Sequence, residues 1–359
     1  ACVQACPHEA IRISIVSIDQ IESDCETSQF LPGTPDPQYT LPTTNYRTSK
    51  PLPRNLIPAD YFRVQTEHSH VSLVTMLVLT QLAVGGMALG TQLPESIRSI
   101  QYLVSMGFCY LALTASLMHL GRPWLAYRAI LGLRRSWLSR EILAFGVFSG
   151  AATFLTARQI RPELVPDLGV SRSWLETITV VSGLLGVYCS AMIYHRTKRP
   201  FWNVYQSGSR FLLTSTLLGL AVGWVSTLIG EVAFQISTGE EIVRMLKWGV
   251  LTAGVLKGIL EIGALVPLGD RPQTPLKRSA LLLVGPLRKE FTLRFALLLI
   301  GGICLTAYSL NERSGAFTAM QELWCSILVL VTLIGGELLE RSLFFKASVA
   351  FRMPGGPAA

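Results

Sequence analysis

Eight stretches of the chain keep apolar residues running for about 20 positions, the length that a helix rising about 1.5 Å per residue needs to cross the hydrocarbon core of a bilayer. They lie near Ser69 to Thr91, Ile97 to His119, Glu141 to Ala157, Trp174 to Tyr194, Phe211 to Val232, Ile242 to Pro267, Phe291 to Leu310 and Met320 to Phe344. The pattern predicts an all-α polytopic membrane protein, with eight transmembrane helices in a bundle over residues 69–347. The residues ahead of the first span follow another pattern. Ile11, Ile13 and Ile15 alternate with Arg12 and Ser14, which predicts a short half-buried strand. From 31 to 68 the prolines Pro32, Pro35, Pro37, Pro42, Pro51, Pro53 and Pro58 predict an extended linker, because proline fixes φ and removes a backbone donor. Residues 348–359 form a Gly/Pro-rich tail.

Composition agrees with a bilayer as solvent: 50% of the 359 residues are hydrophobic and only 15% are charged. Mean hydropathy is +0.42. The net charge of +8 raises nucleic acid as a partner. The basic residues, however, form no soluble patch that could hold a phosphate backbone, so nucleic acid is not expected. They favour alternate loops instead: Arg47, Lys50, Arg54 and Arg63 before the first span, Arg122 to Arg140 after the second, Arg196 to Arg210 after the fourth, Arg271 to Arg294 after the sixth, and Arg341 to Arg352 at the end. By the positive-inside rule both termini face the cytoplasm, which requires the even number of spans counted from hydropathy. A soluble all-helical protein would not produce that alternation. Trp124, Trp137, Trp174, Trp202, Trp248 and Trp324 fall near span ends, where an amphipathic ring sits at headgroup level, and Trp224 lies mid-span.

Cys2-Val3-Gln4-Ala5-Cys6-Pro7 reproduces the second half of the bacterial iron–sulfur run C-x2-C-x2-C-x3-C-P. Spacing alone leaves two incidental cysteines as an alternative, but Glu9-Ala10-Ile11 after the proline extends the match. Residues 1–30 are therefore read as the C-terminal remnant of a ferredoxin-type domain whose beginning lies upstream. Two thiolates cannot hold a cubane, so a [4Fe-4S] cluster is expected only with the missing upstream cysteines. Cys25, Cys109, Cys189, Cys304 and Cys325 stand singly and predict no disulfide framework.

An ionised group inside a span costs roughly 2.5–3.5 kcal/mol on insertion scales, so each one asks for a reason. His119, Glu141, Lys257, Glu261, Glu337 and Glu340 all fall toward the cytoplasmic side of the predicted topology, which implies a polar pocket near that leaflet. A membrane carrier that sheds protons with its electrons, such as a quinol, needs a base there. Histidine with a carboxylate beside it suits the task. His119 and Glu141 are the catalytic candidates, although a headgroup-facing histidine would fit the position of His119 equally. Arg122 and Arg140 are candidate orienting charges, and Glu261 and Glu337 further pocket candidates. Lys257 and Glu261, four apart on one helix face, are expected to neutralise each other. Glu340 and Arg341 are read as a membrane boundary. None of His8, His68, His70, His119 and His195 is central to a span, so no haem is expected.

With those residues in view, the chain resembles the dimethyl sulfoxide reductase membrane-anchor family. The likeness is carried by Ser116-Leu117-Met118-His119-Leu120-Gly121-Arg122-Pro123, by Ala126-Tyr127-Arg128, and by Ser136-Trp137-Leu138-Ser139-Arg140-Glu141-Ile142. Arg199-Pro200-Phe201-Trp202 and Gly336-Glu337-Leu338-Leu339-Glu340-Arg341 extend it, so that it runs from about Glu67 to the end. Residues 1–54, with Thr34-Pro35-Asp36-Pro37 and Leu41-Pro42-Thr43-Thr44, resemble the tail of that family's four-cluster electron-transfer subunit, normally a separate polypeptide. The resemblance implies a haem-free anchor in a prokaryotic cytoplasmic membrane. Such an anchor oxidises menaquinol or another quinol and passes electrons through iron–sulfur clusters to a molybdopterin catalytic subunit, with His119 and Glu141 tied to the quinol site. Two other readings are a polysulfide-reductase-type anchor, marked by more carboxylates through the membrane, and a secondary transporter, marked by broken helices. Gly85-Gly86 and Gly301-Gly302 hint at the latter or are close helix contacts.

Overall fold

The computed structural model describes residues 12–26, 37, 41–45, 49–51, 64–118, 123–166, 169–237, 239–311 and 318–349. Within 12–65, a short helix α1 (Ile18–Glu26) is followed by Asn45, whose side-chain amide donates to Asp24 at 2.8 Å. The expected strand does not form among the described residues. Residues 12–17 have no regular structure, and Ile13 and Ile15 stand exposed because no second strand pairs with them. Cys2, Cys6 and most of the proline-rich linker lie outside the described residues.

Residues 66–349 form a separate compact unit. Among the described residues it holds eight helices long and apolar enough to cross a membrane. These are α2 (Val71–Gly90), α3 (Glu95–Met118), α4 (Trp137–Ile160), α5 (Arg172–His195), α6 (Val204–Phe234) and α7 (Glu240–Ile262), which continues as a 3₁₀ turn to Gly269. After a short helix α8 (Pro275–Val284) comes a seventh span in three parts: α9 (Arg288–Leu297), a π-helical stretch Leu298–Leu305, and α10 (Thr306–Asn311). The last is α11 (Ala319–Lys346). All eight coincide with the apolar runs. The hydropathy pattern does not predict α8, since its apolar residues are too few to mark a span.

Local signals start these helices. The side chains of Ser136, Ser171, Asn203, Thr274 and Thr318 each accept a backbone N–H in the first turn of α4, α5, α6, α8 and α11. They satisfy donors that a helix leaves open. At α11 the box is reciprocal, with Gln321 accepting from the Thr318 N–H at 2.9 Å.

The most buried of these helices is α6, and it packs against α2, α3, α5, α7 and α11. Its approach to α2 depends on glycine. A Cβ on Gly85 would lie 1.8 Å from the Ser215 carbonyl oxygen, and one on Gly219 would lie 2.5 Å from the Gly85 backbone. The Gly85-Gly86 pair is thus a close contact inside an unbroken helix, as small residues allow where no hydrophobic effect drives helices together. Gly301-Gly302 lies in the π-helical stretch, where the Thr306 hydroxyl donates to the Gly301 carbonyl at 2.8 Å. Trp224 is fully buried, whereas Trp124, Trp174, Trp248 and Trp324 are largely exposed near helix ends.

Ion pairs establish the alternation of helix direction. At one end Arg172, at the start of α5, meets Glu95, at the start of α3, at 2.9 Å, and Lys247 near the start of α7 pairs with Glu322 near the start of α11. At the other end Arg294 of α9 meets Glu261 of α7, and Arg210 of α6 meets Glu340 of α11.

Gly85→Ala is expected to destabilise the purified protein by about 3 kcal/mol or more, because the clash is with backbone and not with a movable side chain. Gly107→Ala, which meets nothing within 4 Å, is expected to leave the melting temperature in detergent unchanged.

Candidate functional site

Of the charged residues in the spans, Arg98, Glu176, Lys247 and Glu322 pair at one end of the bundle, while Glu141, Lys257, Glu261, Glu337 and Glu340, singled out from the sequence, lie toward the other end, in two places. The first holds Glu141, one turn into α4 and buried. Its carboxylate accepts a hydrogen bond from the Ser190 hydroxyl of α5, and that hydroxyl also lies 3.1 Å from the Gly186 carbonyl. Phe145 lies below Glu141 on α4 and packs against Gly186, where a Cβ would come within 2.6 Å of the ring. Arg140 points away. Its Nε donates to the Leu133 carbonyl at 3.0 Å, its Nη2 to the Arg134 carbonyl at 3.0 Å, and the guanidinium lies 4.4 Å over the Trp137 ring. Arg140 therefore braces the loop before α4. His119 and Arg122 lie outside the described residues; His119 follows Met118, the last residue of α3, in sequence.

The second place is a buried ionic cluster built by α6, α7, α9 and α11. Lys257, Arg294, Glu337 and Arg341 have no exposed surface, and Arg210, Glu261 and Glu340 have 5% or less. The Arg294 guanidinium grips Glu261 with two hydrogen bonds, Nε to Oε2 at 3.1 Å and Nη2 to Oε1 at 2.7 Å, and reaches Glu337 Oε1 at 2.7 Å. That planar fork is what a carboxylate pair requires and a lysine could not supply. Gly336 makes the room, since a Cβ there would lie 2.8 Å from Arg294 Nη1. The other Glu337 oxygen accepts from the Lys257 ammonium and, at 2.6 Å, from the Thr214 hydroxyl. Lys257 donates as well to Thr214 and to the Arg210 carbonyl at 3.2 Å.

Arg341 extends the cluster toward α2, donating to Gln81 at 3.0 Å and lying 3.9 Å over the Phe211 ring. Glu340 stands between Arg341 at 3.5 Å and Arg210 at 3.7 Å, within ion-pair reach of both. Two expectations are corrected here. Lys257 and Glu261 do not simply neutralise each other: Lys257 is committed to Glu337 of α11, and Glu261 is held by Arg294 of α9. Glu340 and Arg341 do not stand exposed as surface boundary charges would, since both are buried inside the bundle.

Tyr194 of α5 connects the two places. It lies within electrostatic reach of both Glu141 and Arg341, and its ring packs edge-on against Trp202, Phe344 and Phe345 at 5.2–5.5 Å. The sequence reading misses Arg210 and Arg294, counting both with the loop charges although Arg294 falls inside the seventh apolar run. A signal is present in the sequence all the same: Arg210 and Thr214, Lys257 and Glu261, and Glu337, Glu340 and Arg341 recur at spacings of three and four, which draws a polar stripe down one face of three separate spans. Among the described residues no three His, Cys, Asp or Glu side chains are placed to hold a metal ion.

Fold and cluster together define a polytopic helical membrane protein with a charged centre sealed near one end of its bundle. A family model described as DMSO reductase anchor subunit (DmsC) matches residues 64–346. The protein belongs to that family. A stretch of 160 residues is 32% identical to the C subunit of the anaerobic dimethyl sulfoxide reductase of Haemophilus influenzae, covering 42% of the present sequence and 56% of that relative.

Arg294→Leu strips a buried carboxylate pair of its partner and is expected to cost about 3–5 kcal/mol. Glu290→Ala, which removes only the partly exposed pair with Lys346, is expected to cost less than about 1 kcal/mol. Thermal denaturation in detergent micelles separates the two.

Proposed function

We propose that this protein is the membrane anchor of a molybdopterin oxidoreductase complex, oxidising menaquinol or a related quinol and delivering its electrons to iron–sulfur partners. The observation that carries the reading is Glu141: a carboxylate buried at the first turn of a span and held by the Ser190 hydroxyl, close in sequence to the His119 motif on which the family resemblance rests. A quinol loses two electrons and two protons, and the protons need acceptors inside the membrane boundary. Glu141 is such an acceptor, Ser190 holds its carboxylate in place, and His119 is assigned as the proton acceptor in contact with the quinol hydroxyl. Arg140, turned to the loop carbonyls, positions the start of α4 and does not orient substrate.

The partners are a molybdopterin catalytic subunit and an iron–sulfur electron-transfer domain. The segment with Cys2 and Cys6 is assigned to the second of these. Two thiolates do not complete the ligand set of a cubane, so any cluster bound there takes its remaining ligands from elsewhere. The setting is a prokaryotic cytoplasmic membrane with the charged centre toward the cytoplasm, supported by the alternation of basic loops.

In membranes containing the full complex, Glu141→Gln is expected to lower quinol-dependent turnover about 100-fold or more, the scale of a lost proton acceptor. Reduction of the terminal acceptor by an artificial electron-donor dye would be preserved. Turnover unchanged at matched assembly would remove Glu141 from the reaction.

A further inference from the structure

His68-Ser69-His70 runs into the start of α2, with His70 extended at φ −90° and ψ 116° as the N-cap residue. On an extended chain successive side chains point to opposite sides. Ser69 faces the last span, its hydroxyl 3.1 Å from that of Ser342, and the Glu67 N–H donates to the Lys346 carbonyl at 3.1 Å. His68 and His70 therefore share the other side, and both are exposed. Quinol oxidation at Glu141 uses neither of them.

The two imidazoles converge. Their ring centroids are 5.1 Å apart, with the ring planes at 48° to each other. Among the described residues neither side chain makes a hydrogen bond or an ion pair, and His70 does not cap α2 with its ring. Their nitrogens are thus uncommitted. A metal ion holds an imidazole nitrogen at about 2.0–2.1 Å, which places the ring centre roughly 3.2 Å from the ion. Two imidazoles on one tetrahedral ion then have centroids about 5 Å apart. That is the separation of His68 and His70.

We propose that His68 and His70 chelate one divalent transition-metal ion, of the copper, nickel or zinc class, at the edge of the bundle. Imidazole nitrogen suits these ions, whereas magnesium and calcium take oxygen ligands. Among the described residues no third His, Cys, Asp or Glu side chain joins the pair. Water fills the remaining positions, and the ion stays exchangeable. Because Glu67 and Ser69 tie the same stretch to α11, an ion bound here pins the entry to the first span beside the end of the last. Metal binding and the stability of that junction are therefore linked. The site stands independently of the quinol reading.

The test is titration of the purified full chain in detergent with Cu²⁺, Ni²⁺ and Zn²⁺, read by copper electron paramagnetic resonance and by thermal melting. The native chain is expected to bind one ion more than the double variant His68→Asn with His70→Asn, and the added copper signal to be split by two imidazole nitrogens. Taking the difference removes whatever binds at Cys2, Cys6 or the other histidines. Each single variant is expected to weaken that binding about tenfold or more, at least the loss that an outer-shell partner causes. Copper is expected to bind tightest, and excess Mg²⁺ not to displace it. Metal is expected to raise the melting temperature of the native chain by a few degrees and to leave the double variant unmoved. Ser69→Ala, which keeps both imidazoles, retains the two-nitrogen signal. Equal binding by the native chain and the double variant, or a signal from one nitrogen, overturns the chelate and leaves the two rings as an aromatic contact. Both histidines are exposed, so the variants spare the core, and equal melting without metal verifies that.

Discussion

The bundle depends on the cost of taking charge out of water. Among the described residues, seven ionised side chains from four helices meet at one end, and none could stay in hydrocarbon alone. Six of them are tolerable because another helix brings a counter-charge to within hydrogen-bond or ion-pair distance, while Arg341 has Glu340 of its own helix and the neutral Gln81 and Thr214 of other helices. Such a centre is a weak source of net stability, since attraction is offset by desolvation, but it penalises every arrangement that leaves one member unmatched. It fixes which faces of α6, α7, α9 and α11 meet, in a solvent where apolar burial between helices discriminates little. The glycine seam between α2 and α6 does the complementary task through shape.

The buried Glu141 lies toward the end of the bundle where the ionic cluster also lies. The two polar places differ in kind. Among the described residues Glu141 has one hydroxyl donor and no cation bonded to it, an arrangement suited to taking up a proton. The cluster is held by guanidiniums that do not give up theirs, an arrangement suited to binding and positioning. Tyr194, in reach of both, sits among aromatic rings that separate them. Transporter-like broken helices are not what the glycine pairs build: Gly85-Gly86 lies in a continuous helix, and Gly301-Gly302 in a π-helical stretch within a span.

Much of the fold is legible in the sequence because a bilayer imposes a long, simple signal. All eight spans appear where the apolar runs fall, and the shared end of Glu141, Lys257, Glu261, Glu337 and Glu340 follows from the alternation of helix direction. What is not legible depends on neighbours. The alternation of Ile11, Ile13 and Ile15 suggests a strand only if another strand lies beside it. Arg210 reads as a loop residue because the apolar run begins at Phe211, whereas Asn203 caps the helix nearly two turns earlier. Lys257 and Glu261 share a helix face, yet the charges that satisfy them come from α9 and α11, some 30 to 80 residues further along the sequence. His119 and Glu141 stand out through a local motif, and for Glu141 the structure adds the one thing a motif lacks, its hydroxyl donor on α5.

The place of α11 in this centre also orders the birth of the protein. Arg210, Lys257, Glu261 and Arg294 emerge from the ribosome before Glu337, Glu340 and Arg341 exist, and Gln81 of the first span and Ser69 just ahead of it wait for Arg341 and Ser342 of the last. Until the final helix arrives, the earlier spans carry charges with incomplete partners, held back from settling in lipid. A polypeptide interrupted before α11 would therefore stay marked, by its own unmatched charges, as unfinished material for the membrane's proteases.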